Sequence, residues 1–242
     1  MSNYYQILIK LDHLSNELLS NHPEPTRMKE GLLLYAIAKS TKTIEAIKVL
    51  CEKGMGEDAT ILCRSLLELT VIVEYILQDE TDQLVKRYFS FDWIQRRKMM
   101  KILEQSTEAK KISEETMIVE EIKREAGEAD KEFEYNYGWS SESIGKMFTA
   151  VGKNKIYDTV YNIQCSFCHS NPRTMNDYIK IENNQLVLQS GPSANLVKET
   201  LVITCSAYYE LLFQFNKFFK KNLDEELKSF EEEFKEEIRL DI

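Results

Sequence analysis

Between Ile61 and Leu77 the chain reads ILCRSLLELTVIVEYIL. A helix that is apolar on every side must be covered on every side, so this segment belongs at the centre of whatever forms around it. Two charges interrupt it. Arg64 and Glu68 stand one helical turn apart on the same side. Acid before base is the better order for a solvated helical pair, and here the order is reversed. The pair therefore points to a sheltered polar pocket in which the two residues are structural partners, with or without a chemical role.

The flanking segments also carry helical spacing. Tyr5, Ile7, Leu8, Leu11, Leu14, Leu18 and Leu19 line one helix from Asn3 to about Ser20, and Pro23 and Pro25 then break the chain. A second helix is expected from about Arg27 to Lys53, on Leu33, Ile37, Ile44, Ile47 and Leu50. Next comes the aromatic and basic DQLVKRYFSFDWIQRRKMMKIL, which holds Arg87, Arg96, Arg97 and Lys98. Its stems can cover apolar neighbours, or its guanidinium groups can form the basic wall of a nucleic-acid cleft. Residues 105–134 are charged and weakly apolar, as in a protruding solvated helix or helical hairpin. Ser140 or Ser141 is expected to cap a short helix over Ile144–Val151, and another runs from Ile156 to Ser170, stopped by Pro172.

Alternating runs around Asn183 and Asn184 allow a small β-hairpin near residues 177–189. A strongly apolar helix follows from about Ala194 to Lys220, and an acidic amphipathic one carries Leu223, Leu227, Phe230, Phe234 and Ile238. With 8 glycines and 4 prolines in 242 residues, few turns are available. The expected fold is all-α, a single bundle-like helical domain over residues 1–222 with a C-terminal helix at 223–242.

The formal net charge of −9 opposes a broad grip on nucleic acid, although one local basic cleft remains compatible with it. The first residues lack the basic start, apolar run and cleavage site of a signal peptide, and charges interrupt every apolar stretch before membrane-spanning length. The expected location is the cytoplasm, away from membranes. The 5 cysteines then read as thiols.

Cys165, Cys168 and His169 spell Cys-x-x-Cys-His, the haem-attachment pattern. Haem attachment requires export, for which the chain has no signal. Structural zinc needs a second close pair, and Cys51, Cys63 and Cys205 are single residues inside apolar helical patterns. A redox pair favours a helix N-terminus, whereas this one lies near a C-terminus. The cysteines therefore read as packing residues, with no metal and no cofactor expected. His169, in a last helical turn and a polar neighbourhood, is the chemical candidate. Tyr161, Cys165 and His169 share one stripe of that helix; Asn162 and Ser166 form the adjacent one.

Four strings in order, GMGEDATILCRSLLELTVIVEYI, RYFSFDWIQRRKMM, YGWSSESIGKMFTAVG and IYDTVYNIQCSFCHSNP, resemble the uncharacterised bacterial family catalogued as domain of unknown function 5677, over roughly residues 30–220. Its Arg-x-x-x-Glu and Tyr-x-x-x-x-Ser-x-x-His elements match as Arg64, Glu68, Tyr161, Ser166 and His169. The resemblance implies an all-helical fold and no particular activity. Asn162 and His169 are also similar to the asparagine form of the paired motif of HEPN ribonucleases. The arginine usual upstream is absent, and Arg64 could supply its charge from another helix. That similarity implies RNA as a substrate, a toxin or phage-defence role, and a homodimer. The aromatic-rich YYELLFQFNKFF, with more large side chains than one buried face needs, also points to self-association.

Two functions follow. In the first, the chain cleaves RNA without a metal: His169 is general acid or base, Arg64 stabilises charge developing on phosphorus, and Glu68 orients Arg64. Tyr161, Asn162 and Ser166 position the substrate or the imidazole, and Arg96 and Arg97 meet the backbone. In the second, Arg64, Glu68, Ser166 and His169 are a structural hydrogen-bond network in a non-catalytic interaction or sensor module with a protein partner.

Overall fold

The computed structural model describes residues 3–20, 24–103, 116–135 and 138–240. The break expected at Pro23 and the first part of the charged 105–134 segment lie outside the described residues. The fold is all-α apart from one small hairpin. The chain clusters into two compact units, Met1–Tyr75 with Met147–Ile242, and Ile76–Lys146.

The larger unit is built on α1 (Asn3–Ser20), α2 (Met28–Glu52), the body of α3 (Gly56–Leu77) and α10 (Val197–Phe219). Its core contains Leu8, Leu11, Leu33, Ile37, Ile44, Val71, Val73, Tyr208, Leu211 and Phe215, all almost fully buried. The apolar segment read first from the sequence is thus internal, and α10 runs beside it. Thr70 Oγ1 donates to the carbonyl of Ala207 on α10 at 3.2 Å. Gly56 permits a close approach where α3 begins: a β-carbon there would stand 2.0 Å from the carbonyl oxygen of Asn195. Deeper along α3, Lys153 pairs with the buried Glu74 at 2.5 Å and reaches Glu210 on α10 at 3.7 Å.

Chain ends are tied by side chains. Glu30 opens α2 by accepting the backbone N–H of Thr26 at 2.7 Å and Nε–H of Arg27 at 2.8 Å. Asn216 bridges α10 to α11 (Asp224–Leu240), accepting the Leu223 N–H and donating to Asp224, both at 3.1 Å. Leu227 and Phe230 of α11 are buried; Phe230 stacks on Tyr209 of α10 at 5.3 Å, and Phe234 meets Tyr4 of α1 edge-on at 6.3 Å. Tyr208 and Phe215 of α10 are buried and Tyr209 is stacked on Phe230, so much of the aromatic content of α10 is used within the chain, while Phe213 stays exposed.

The smaller unit packs α4 (Gln83–Leu103) on α5 (Thr116–Glu132) around Ile94, Ala126 and Ala129, with Phe91, Trp93 and Tyr135 at the edge. Arg87 fastens the segment after α5 by donating to the carbonyls of Trp139, at 2.6 Å, and Glu134. The short helix α6 (Ile144–Ala150) is capped by Ser143, whose hydroxyl accepts the Lys146 N–H at 3.4 Å, while Ser140 closes the preceding turn onto Glu142. The cap therefore lies later than Ser140 or Ser141, because the helix itself starts at Ile144.

The expected 156–170 helix is a composite. A short α7 (Asn154–Ile156) leads into a π-helical turn over Tyr157–Tyr161, then α8 (Asn162–Cys168), with His169 as the C-terminal cap. Asn171 then caps a 3₁₀ turn over Pro172–Thr174, followed by α9 (Met175–Tyr178). Strands β1 (Ile179–Glu182) and β2 (Gln185–Leu188) pair antiparallel, Ile179 with Leu188 and Ile181 with Leu186. Asn183 and Asn184 both take positive φ, 51° and 60°, as a two-residue hairpin turn demands and asparagine tolerates.

Candidate functional site

The larger unit brings together Arg64 and Glu68 from α3 with Tyr161, Cys165 and Cys168 from the π-turn and α8. Arg64 Nη2 donates to the Tyr161 hydroxyl at 2.6 Å and lies 3.3 Å from Glu68 Oε2; its Nε–H donates to the Cys165 sulfur at 3.1 Å. The Tyr161 hydroxyl passes its own proton toward Glu68 Oε2 at 3.2 Å, closing a ring of contacts. The Arg64 guanidinium also stands 4.8 Å from the Tyr161 ring centre. Tyr161 is held from behind by Tyr157 at 5.3 Å and Phe148 at 5.1 Å.

Burial, joined by the Glu68 carboxylate, raises the Tyr161 phenol well above its ordinary pKa, with Arg64 acting in the opposite direction. Tyr161 is therefore a neutral donor and acceptor at physiological pH, suited to bridging a cation and an anion. Burial likewise raises the Cys168 thiol, with the charge of Arg64 opposing it. The cluster is open on one side: the Arg64 side chain is 22% exposed and that of Glu68 33%.

The π-turn ends at Tyr161, and Cys165 and Cys168 follow it on one side of α8 at the ordinary helical steps of four and three. The packing-residue reading holds for Cys51, Cys63 and Cys205, which are buried, but not for Cys165, whose sulfur accepts a charged hydrogen bond. The stripe of Tyr161 and Cys165 was readable in the sequence; that Arg64 sits opposite it was not. Among the described residues no group of three or more His, Cys, Asp or Glu side chains is placed to hold a metal ion.

The other expected site residues are elsewhere. His169 is exposed, one residue beyond Cys168, and among the described residues its imidazole makes no hydrogen bond or ion pair with the Arg64 cluster. Asn162 is also exposed, and an i, i+7 step puts it on the same face of α8 as His169. Ser166 is nearly buried and acts locally: its hydroxyl donates to the Asn162 carbonyl at 3.2 Å, and its own carbonyl accepts the Asn171 N–H at 3.0 Å. Arg96 and Arg97 belong to the smaller unit. Arg96 pairs with Asp92 at 2.6 Å and lies over Trp93; Arg97 pairs with Asp130 of α5 at 2.5 Å.

Compared with known proteins, residues 30–186 match the model of a family described as "Family of unknown function (DUF5677)". The match contains every residue considered above for the site and ends before α10 and α11. No curated protein and no solved structure matches the chain.

Proposed function

We propose, for a chain that belongs to the DUF5677 family of unknown function, that the α3–α8 face cleaves RNA without a metal ion. The observation that carries this reading is the open side of the Arg64 cluster, continued along α8 by exposed Asn162 and His169. A network with only a packing role gains by being sealed; this one leaves a guanidinium and an imidazole accessible to a polyanion. The π-turn beneath them supports the same reading, since such turns persist where a site needs them.

The proposal gives each residue a role. His169 takes the proton of a ribose 2′-hydroxyl, or returns one to the leaving oxygen, and Asn162 holds the substrate beside it. Arg64 is a positioning residue in the free protein, since Glu68 and Tyr161 engage its charge; it turns toward a phosphate only by giving up part of that clamp. A homodimer and a toxin or phage-defence role belong to the same proposal, through the HEPN resemblance.

The competing reading, a non-catalytic interaction module, is favoured by one observation: Tyr161, Glu68 and Cys165 together engage the Arg64 guanidinium. One set of variants separates the two. With purified protein, chelator and single-stranded RNA, His169→Ala should lower cleavage by about 10²-fold or more with unchanged thermal stability. Arg64→Lys should lose about 1–2 kcal/mol in denaturant melts, because a lysine cannot reproduce the forked contacts. Cys168→Ala should retain activity. Full cleavage by His169→Ala, or none by the native chain, sinks the nuclease; a loss of stability in Arg64→Lys alone leaves the clamp. Light scattering that gives the 28.3 kDa of one chain removes the homodimer.

A further inference from the structure

The hairpin between α9 and α10 turns its apolar side to solvent. Pairing sets Ile179 opposite Leu188 and Ile181 opposite Leu186, so these four side chains share one face of the sheet. Ile181 is 77% exposed, Leu186 66% and Leu188 65%, whereas Lys180 and Val187 on the other face are half-buried. A two-stranded sheet is marginal by itself, and a contiguous apolar surface in water marks a place of contact.

The outer edge of β1 is as informative as the face. In an antiparallel pair, successive residues turn their backbone groups alternately toward the partner strand and away from it. Glu182 and Gln185 flank the two-residue turn as a bonded pair, and the Gln189 N–H donates to the Tyr178 carbonyl at 2.8 Å in the same phase. Lys180 and Glu182 therefore bond inward to β2, while Ile179 and Ile181 turn their N–H and C=O outward. Among the described residues the sheet has these two strands alone, and no backbone hydrogen bond from another segment meets that edge. Neither a proline nor a bulge blocks it.

This edge is complementary to itself. When two copies of β1 lie antiparallel about a two-fold axis at Ile181, each Ile181 becomes a hydrogen-bonded pair with its counterpart. Lys180 then stands opposite Glu182 of the second copy, and Glu182 opposite Lys180. These are the closer, non-bonded type of pair, with α-carbons about 4.5 Å apart. Opposite charges so placed attract, and like charges repel. The apolar faces of both hairpins fall on one side, with the two Ile181 side chains together between flanking Leu186. The edge of β2, Gln185–Leu188, carries no charge and offers no such match.

We infer that the β1 edge is the contact surface for a second copy of this chain, the two hairpins joining in a four-stranded antiparallel sheet of order β2–β1–β1–β2. The inference stands on the hairpin and not on RNA cleavage, and it gives the homodimer proposed above its surface. A four-residue strand is a short interface, so the dimer is reversible and depends on concentration.

Sedimentation of the full-length chain over a concentration series tests this. The native chain should move from 28.3 kDa toward twice that mass. Lys180→Glu sets like charges against each other and should raise the dimer dissociation constant at least about tenfold. Adding Glu182→Lys to that variant should restore the native value, because the exchange keeps the match. Ile181→Pro removes an N–H that β2 does not use and should leave a folded monomer. In the native chain, hydrogen exchange at the Ile181 amide should slow as the concentration rises. A native chain that stays monomeric to its solubility limit, or Ile181 exchange indifferent to concentration, overturns the contact. Ile181→Pro or Lys180→Glu dimerising as tightly as the native chain overturns the hairpin as the surface and leaves a homodimer formed elsewhere. Failure of the double exchange to restore association overturns the charge match. The exchange measurement decides even if a variant fails to fold, and no arm reads RNA cleavage.

Discussion

A single arginine shows how much a residue's neighbours decide. Arg64 on a bare helix would be a surface cation; wedged between a phenol, a thiol and a carboxylate, it becomes the fixed point of two helices. Glu30 offers a simpler case with a sharper test. Hydrogen bonds from the Thr26 backbone first, then the Arg27 side chain, hold its carboxyl at about 2, against an ordinary 4.5. A depressed folded-state pKa means the contribution is complete above about pH 4.5 and is lost as the pH falls through about 2. The stability difference between the native chain and Glu30→Gln should be constant at neutral pH and vanish in that acid window. A difference independent of pH down to 2 would contradict it.

At the scale of elements, helical spacing was legible almost everywhere that an apolar stripe exists. The α1 and α3 segments and the tail helix fall where their periodicity put them, because burying one face requires that spacing. The π-turn was not legible. One inserted residue leaves an apolar pattern nearly unchanged while rotating all that follows, so only the packed helix reveals it. The docking of α11 is open to a direct measurement. Phe230 is 6% exposed and stacked between Tyr209 and Phe234, so Phe230→Ala should cost about 3 kcal/mol in equilibrium unfolding. A loss below about 1 kcal/mol, the range of ordinary surface substitutions, would mean that α11 only rests on the surface.

For the whole molecule, the division into two units predicts uneven stability. The larger has long, fully buried stripes on α1, α2, α3 and α10; the smaller gathers α4 and α5 around Ile94 and two alanines. Native-state hydrogen exchange should therefore release α4 and α5 amides at lower opening free energy than those of α2 and α10. Equal protection in all four helices would show one cooperative body. Among the described residues no helix is long and apolar enough to cross a membrane. By itself the sequence determined the helical class, the central place of the 61–77 segment, the hairpin around two asparagines and the pairing of Arg64 with Glu68, because each depends on spacing within one segment. Which side chains from distant segments meet was decided only by the tertiary structure. Tyr161 and Cys165 close on Arg64, His169 and Asn162 turn to solvent, and Gln164 is buried. Spacing fixes the face a residue occupies on its own helix; the packing of the other helices fixes what that face meets.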